Sequence, residues 1–341
     1  MTGRKNTYHH KAGHIYHMFL PLWWVVVLEL LMANVSAQQQ QPIDQVISTY
    51  KSEKLFDFDA NDSVRVSISL LKNTKDEPQL YTAFLSTGVC SDGLCKPVNI
   101  QLYWGLLGNF YTYQTPEGQG LTKFDHEPFS PKDHRMLHTI LADTSSLLRD
   151  YYVEDLIDPN ITRSSKTLDG VTGATNTNFK DASVPGALYT VYTLWHFVNG
   201  SIRHRLLAHT ASMLSDTLIR QLLTSDNSAY QRFMIAHLTE QQAITFQRLL
   251  IELIHRSKDE YVPHFALDKL PQKTWQDPKL YNQFVGFLPE VSLPVQTAIL
   301  TKLTNTPVDT KGSSLLQHYL QETKPSDVQQ KLIKEILNNR N

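Results

Sequence analysis

Near residue 200 the hydrophobic pattern of this chain changes period, from two residues to between three and four. A single kind of secondary structure cannot satisfy both. Upstream, Val64-Arg65-Val66-Ser67-Ile68-Ser69-Leu70 alternates apolar and polar residues, the mark of a half-buried strand. Gln79 to Leu85 and Val98 to Trp104 continue the theme, with Val98, Ile100 and Leu102 on one face. Gly105 and Gly108 punctuate the run, and Phe110-Tyr111-Thr112-Tyr113 predicts another short strand. Pro116, Gly118 and Gly120 then mark a loop.

Helical signals begin at Ser130-Pro131-Lys132-Asp133, where Ser130 reads as a cap, Pro131 as the first helical position and Asp133 as a first-turn acid. That helix would carry Met136, Leu137, Ile140 and Leu141. Pro185 opens a strongly apolar segment through Val198, and Asn199-Gly200 is a plausible stop. Beyond Gly200 helical spacing takes over. The stripes are Phe246, Leu249, Leu250, Leu253 and Ile254; then Val295, Ala298, Ile299 and Leu303; then Leu315, Leu316, Tyr319 and Leu320; then Val328, Leu332, Ile333, Ile336 and Leu337. Short turns such as Gln276-Asp277-Pro278 and Lys324-Pro325-Ser326 separate them. The expected fold is an α+β N-terminal domain over 63–200, followed by an all-α domain over 201–341. Paired antiparallel helices of HEAT-like character and an irregular helical bundle both fit that second half.

The first residues suggest export. Arg4, Lys5 and Lys11 precede a mostly apolar run from Met18 to Met32, and Val35-Ser36-Ala37 offers a small-residue cleavage site before Gln38. Glu29 interrupts the run, which is also short against the roughly 20 apolar residues of a spanning helix. The expectation is therefore a cleaved signal peptide over 1–37 rather than a membrane anchor, with 38–62 as an N-terminal extension. With 341 residues, 41% hydrophobic and 19% charged, the chain is long enough for two globular domains. Its formal net charge of -1 and lack of a basic block argue against nucleic acid as a partner. Cys90 and Cys95, close together in an exported chain, predict a structural disulfide, with Gly88 and Gly93 permitting the tight loop. A redox-active dithiol is the lesser alternative, because the spacing is not C-x-x-C.

The string richest in chemistry is Asp169-Gly170-Val171-Thr172-Gly173-Ala174-Thr175, just ahead of the apolar helical segment. Gly170 and Gly173 permit close backbone approach, exposed N–H groups at such a turn bind anions, and Thr172 and Thr175 add hydroxyls. The residues alone suit a phosphate site or a plain structural turn, since Asp-Gly is a common turn dipeptide.

The whole string resembles the flavinylation motif of the FMN-binding domain family, which includes subunits of sodium-pumping quinone reductases and Rnf-type complexes. The family pattern is roughly D-[GA]-x-[ST]-G-A-T, often with a further Ser or Thr. Asp169, Gly170, Thr172, Gly173, Ala174 and Thr175 match it, and Thr177 fits the trailing hydroxyl. The resemblance implies an FMN-binding-like domain over 63–200, with FMN joined to Thr175 by a phosphoester. It also implies a dedicated flavin transferase, acting outside the cytoplasm with FAD and magnesium. Such domains relay electrons between partners and need convert no substrate, so a redox partner protein or a membrane electron-transfer complex is implied. The implied location is the periplasm or the extracytoplasmic membrane surface. The chain departs from the family in continuing far beyond the motif helix, so the resemblance covers under half of its length.

Other candidates are weaker. Tyr103, Trp104, Phe110, Tyr111 and Tyr113 could pack on a flavin ring, though sheet packing is the simpler reading for each. Asp125-His126-Glu127 and Asp133-His134 set imidazoles beside carboxylates. His134 and His138 share a helix face, but no H-E-x-x-H arrangement is present, so surface histidines are expected rather than a metal site. His196 is expected in the core or near the flavin. No catalytic residue is expected. A cofactor-free exported scaffold built on helical repeats is the alternative to the electron carrier.

Overall fold

The alternating half of the chain folds as a five-stranded antiparallel meander. Its strands are β1 (Lys51–Asn61), β2 (Val64–Lys72), β3 (Pro78–Thr87), β4 (Val98–Trp104) and β5 (Phe110–Gln114), in the spatial order of the sequence. The computed structural model describes residues 46–61, 64–89, 96–123, 126–156 and 182–338. Residues Lys51–Asn341 form one unit and Met1–Tyr50 another, the described part of the latter being a single turn closed by Thr49 N–H donating to Val46 O.

Pairing of β3 with β4 sets Tyr81 against Trp104, Ala83 against Leu102 and Leu85 against Ile100, and all six are buried. Ile68 and Leu70 extend this face onto β2. Each of the larger of these side chains is worth roughly 2 kcal/mol when withdrawn from water, so the face requires a cover. β1 lies inside the stretch read as an N-terminal extension. Its apolar alternation is hidden by charge and by register shifts between Lys54 and Phe56 and between Asp59 and Asn61. The charges suit an edge strand: Lys54 pairs with Asp57 at 2.8 Å, and Lys72 with Glu53 at 2.6 Å.

The cover comes from α2 (Leu188–Asn199), α3 (Ser201–Ser212) and α4 (Asp216–Leu223). Trp104 Nε1 donates to Val198 O at 3.1 Å. Tyr81 Oη meets Thr210 Oγ1 at 2.6 Å and His209 Nδ1 at 2.9 Å. Gln221 Nε2 donates to Pro78 O at 2.8 Å. Sheet and cover therefore share one core that continues across residue 200. Gly200 ends α2 as expected and also starts α3. A Cβ there would stand 2.4 Å from His196 O, so only glycine lets the chain turn this tightly between the helices.

Helix α1 (Pro131–Ala142) starts as its sequence foretells. Ser130 and Asp133 form a reciprocal capping box, and Leu137, Ile140 and Leu141 are buried. It packs between β5 and α2. The helical half continues through α5 (Ser228–His237), α6 (Glu240–Thr245), α7 (Gln247–Arg256), α8 (Val262–Lys269), α9 (Gln272–Gln276), α10 (Pro278–Phe287), α11 (Leu293–Leu303), α12 (Thr310–Glu322) and α13 (Asp327–Asn338). Neighbours pack in sequence, as α7 with α8, and at the next interval, as α10 with α12 and α11 with α13. The expected stripes supply the buried faces, with one exception. Val328 is 60% exposed, and Gln329 occupies the core at that turn. Its amide is paid by hydrogen bonds, Nε2 donating to Gln296 Oε1 at 2.9 Å and Oε1 accepting from Ser326 N–H at 2.9 Å. Among the described residues, no helix is long and apolar enough to cross a membrane.

Candidate functional site

Asp169, Gly170, Thr172, Gly173, Ala174, Thr175 and Thr177 lie outside the described residues, as do Cys90, Cys95 and the leader. The described chain on either side of the motif is anchored by buried side chains. Upstream, two short 3-10 turns, Leu147–Asp150 and Val153–Leu156, bury Leu148 and Leu156. Downstream, Ser183, Val184 and Ala187 are buried as the chain approaches α2.

Helix α2 is latched to the upstream flank by a row of side chains donating to backbone carbonyls. Asn199 Nδ2 reaches Leu141 O at 3.0 Å, and Trp195 Nε1 reaches Asp143 O at 2.8 Å. His196 Nε2 pairs with Leu148 O at 2.8 Å, and Tyr192 Oη donates to Tyr151 O at 3.0 Å. These bonds satisfy carbonyls of irregular backbone that would otherwise be lost to water.

Between this helix and the sheet edge runs a groove of about 300 Å³. Phe58 and Ala60 of β1 with Leu85 and Thr87 of β3 form its sheet side, and Tyr192, Thr193, His196 and Phe197 of α2 its helix side. Val64 of β2, Val153 and Ser201 complete the lining. Phe197 is fixed edge-on by Phe58 at 6.2 Å and by Trp104 at 5.9 Å between ring centroids. Tyr192 and His196, one turn apart, bring their ring centroids within 4.2 Å. The described lining contains no Asp, Glu, Lys or Arg. Its walls suit an uncharged, flat, largely apolar group, with hydroxyls available for orientation.

His196 is neutral at physiological pH. Burial lowers its pKa below the usual 6.5, against the smaller opposing effect of the Leu148 carbonyl. Because its partner is a carbonyl, the Nε2 atom carries the proton. His196 therefore offers the groove an uncharged ring rather than a cation.

The remaining candidates serve packing. His134 Nδ1 meets Tyr113 Oη at 2.7 Å, and His138 Nε2 meets Tyr111 O at 3.1 Å, so both histidines clasp α1 to β5. Trp104, Phe110 and Tyr103 are buried in the sheet layer, Tyr113 is half-buried and Tyr111 is exposed. None of these five lines the groove. The aromatic residues that do line it, Phe58, Tyr192 and Phe197, were not singled out by the sequence. The one-turn spacing of Tyr192 and His196 is the local signal that sets two of the lining rings on one helix face.

Neither the protein-family models, nor the curated proteins, nor the solved structures contain a match to this chain.

Proposed function

We propose that this chain is an exported flavoprotein that carries FMN covalently on Thr175 and relays electrons between redox partners. The observation that carries this reading is the complete string Asp169-Gly170-Val171-Thr172-Gly173-Ala174-Thr175, placed shortly before α2. The signal-peptide-like leader supports it, because a dedicated transferase would attach the flavin outside the cytoplasm. Leu148 and Leu156 upstream and Val184 and Ala187 downstream are buried, so the chain is anchored on both sides of the motif segment, as suits an acceptor site that must be presented to another enzyme. When bound, FMN supplies one- and two-electron chemistry, and the protein supplies position and surroundings.

In this reading the all-α half is HEAT-like and serves as a contact surface. Helices packed to both their first and second neighbours, as in α10 to α13, are what such an arrangement requires. A redox partner protein or a membrane electron-transfer complex would dock there.

Intact mass and in-gel flavin fluorescence test the reading, on chain exported from a host expressing a flavin transferase. The wild type should be fluorescent and heavier by FMN less one water, and Thr175→Ala should be dark and unmodified. A dark, unmodified wild type, beside a control substrate labelled in the same cells, would transfer the weight to a cofactor-free scaffold.

A further inference from the structure

We infer that the groove between β1, β3 and α2 seats the planar ring of an aromatic heterocycle, which on the reading above is the isoalloxazine of FMN held on Thr175. Three observations carry this assignment. The first is the chemistry of the walls. Phe58, Tyr192, His196 and Phe197 are aromatic, Leu85 is aliphatic, and no charged side chain is among the described lining residues. No cation among the described lining residues would offset the charge of a phosphate, whereas an uncharged ring gains apolar contact and stacking. The second is the hydroxyls of Thr193 and Ser201 among that lining, which provide donors and acceptors for the polar edge of a heterocycle, with Thr87, whose proton goes to Gly88 O, as a further acceptor. A lipid tail would make no use of them.

The third is reach. The described chain resumes at Ala182, shortly before α2, whose Tyr192 and His196 line the groove. Thr175 stands seven positions before Ala182, a span of at most about 25 Å when fully extended. A group joined to Thr175 therefore stands at most that far from Ala182, on the chain that leads into α2.

The test fills the groove rather than dismantling it. Ala60→Leu combined with Val64→Met adds bulk at two half-buried lining positions, adds no aromatic quencher, and removes none of the hydroxyls or hydrogen bonds described above. The full chain is flavinylated as before, and intact mass, flavin fluorescence anisotropy and visible circular dichroism are recorded. Wild type should show high anisotropy and an induced visible dichroic band. The filled variant should keep the FMN mass and its melting temperature, while losing the band and much of the anisotropy. Unchanged flavin spectra in a variant that keeps the mass would overturn the inference while leaving the Thr175 reading intact. Unchanged spectra with a fallen melting temperature would also overturn it, and would assign the groove to another part of the chain. If the wild type carries no FMN, the Thr175 reading fails, and the groove is judged by titrating free FMN to millimolar concentration. A saturable dichroic band abolished in the filled variant then sustains the ring site, and absence of any band refutes it.

Discussion

Replacing Asp133 by Asn should remove a stabilisation that depends on pH in a calculable way. Asp133 Oδ2 accepts from Ser130 N–H at 2.8 Å and from Ser130 Oγ–H at 2.6 Å, and Lys123 Nζ stands 2.9 Å away. The Asp133 and Lys123 side chains are 9% and 17% exposed, so solvent screens them little. Burial by itself raises the carboxyl pKa. The Ser130 hydroxyl, Lys123 and the Ser130 backbone N–H together outweigh it and bring the value from 3.8 down to about 2. A depression of that size corresponds to about 2.4 kcal/mol of stability at neutral pH. Because the folded pKa is the lower one, the contribution is complete above pH 3.8 and is lost as pH falls toward 2. About half, roughly 1.3 kcal/mol, should survive near pH 3. Urea unfolding of wild type and Asp133→Asn should thus differ by about 2 kcal/mol at neutral pH and by about 1 near pH 3. A gap that is the same at both pH values would refute the electrostatic account, because the loss of cap shape alone carries no such pH dependence.

Three further outcomes follow from the packing. Gly108 and Gly118 have φ of +73° and +72°, but a Cβ on Gly108 would lie 2.5 Å from Arg203 O whereas nothing lies within 4 Å at Gly118. Gly118→Ala should cost about 1 kcal/mol and Gly108→Ala clearly more, and equal melting temperatures would contradict the close approach. Thr210→Val breaks the chain in which Tyr81 Oη bonds Thr210 and Thr210 donates to Leu106 O, so chemical denaturation should register a loss of about 1–3 kcal/mol. Burial holds the His196 and His209 pKa values below 6.5, in each case against a smaller opposing effect, so folding favours the neutral rings. Stability should fall as pH drops through 6.5 and below, and the double variant His196→Gln/His209→Gln should flatten that slope; an unchanged slope would remove these groups from the acid response.

Much of the sheet was legible because its signal is local. In β2 through β5 the alternation, turn glycines and prolines all lie within a few residues, and the expected strands agree with the observed ones to within two residues at every end. The Ser130–Asp133 cap was equally legible, since its partners are three residues apart. β1 escaped because two register shifts and a string of charges obscure its alternation, and only pairing with β2 reveals which residues face inward. Val328 was misplaced for a similar reason. A helical stripe is wide enough to rotate by one residue, and the polar network around Gln296 and Gln329 decided the rotation.

The candidate sites divide the same way. The motif around Thr175 is a contiguous string, so its chemistry could be read without any fold. The groove could not, because Phe58 and Ala60 stand far from Tyr192 and His196 in the chain. The sequence alone determined strands β2 to β5, the apolar stripes of the later helices, where α1 is capped, and which residues resemble a flavin acceptor. All of these depend on neighbours a few bonds away. Only the tertiary structure decided that helices on both sides of Gly200 cover the sheet, that His134 and His138 are occupied by β5, and that an uncharged aromatic slot forms beside α2. Those outcomes depend on burying one apolar face against another across long stretches of chain, and no local pattern encodes that pairing.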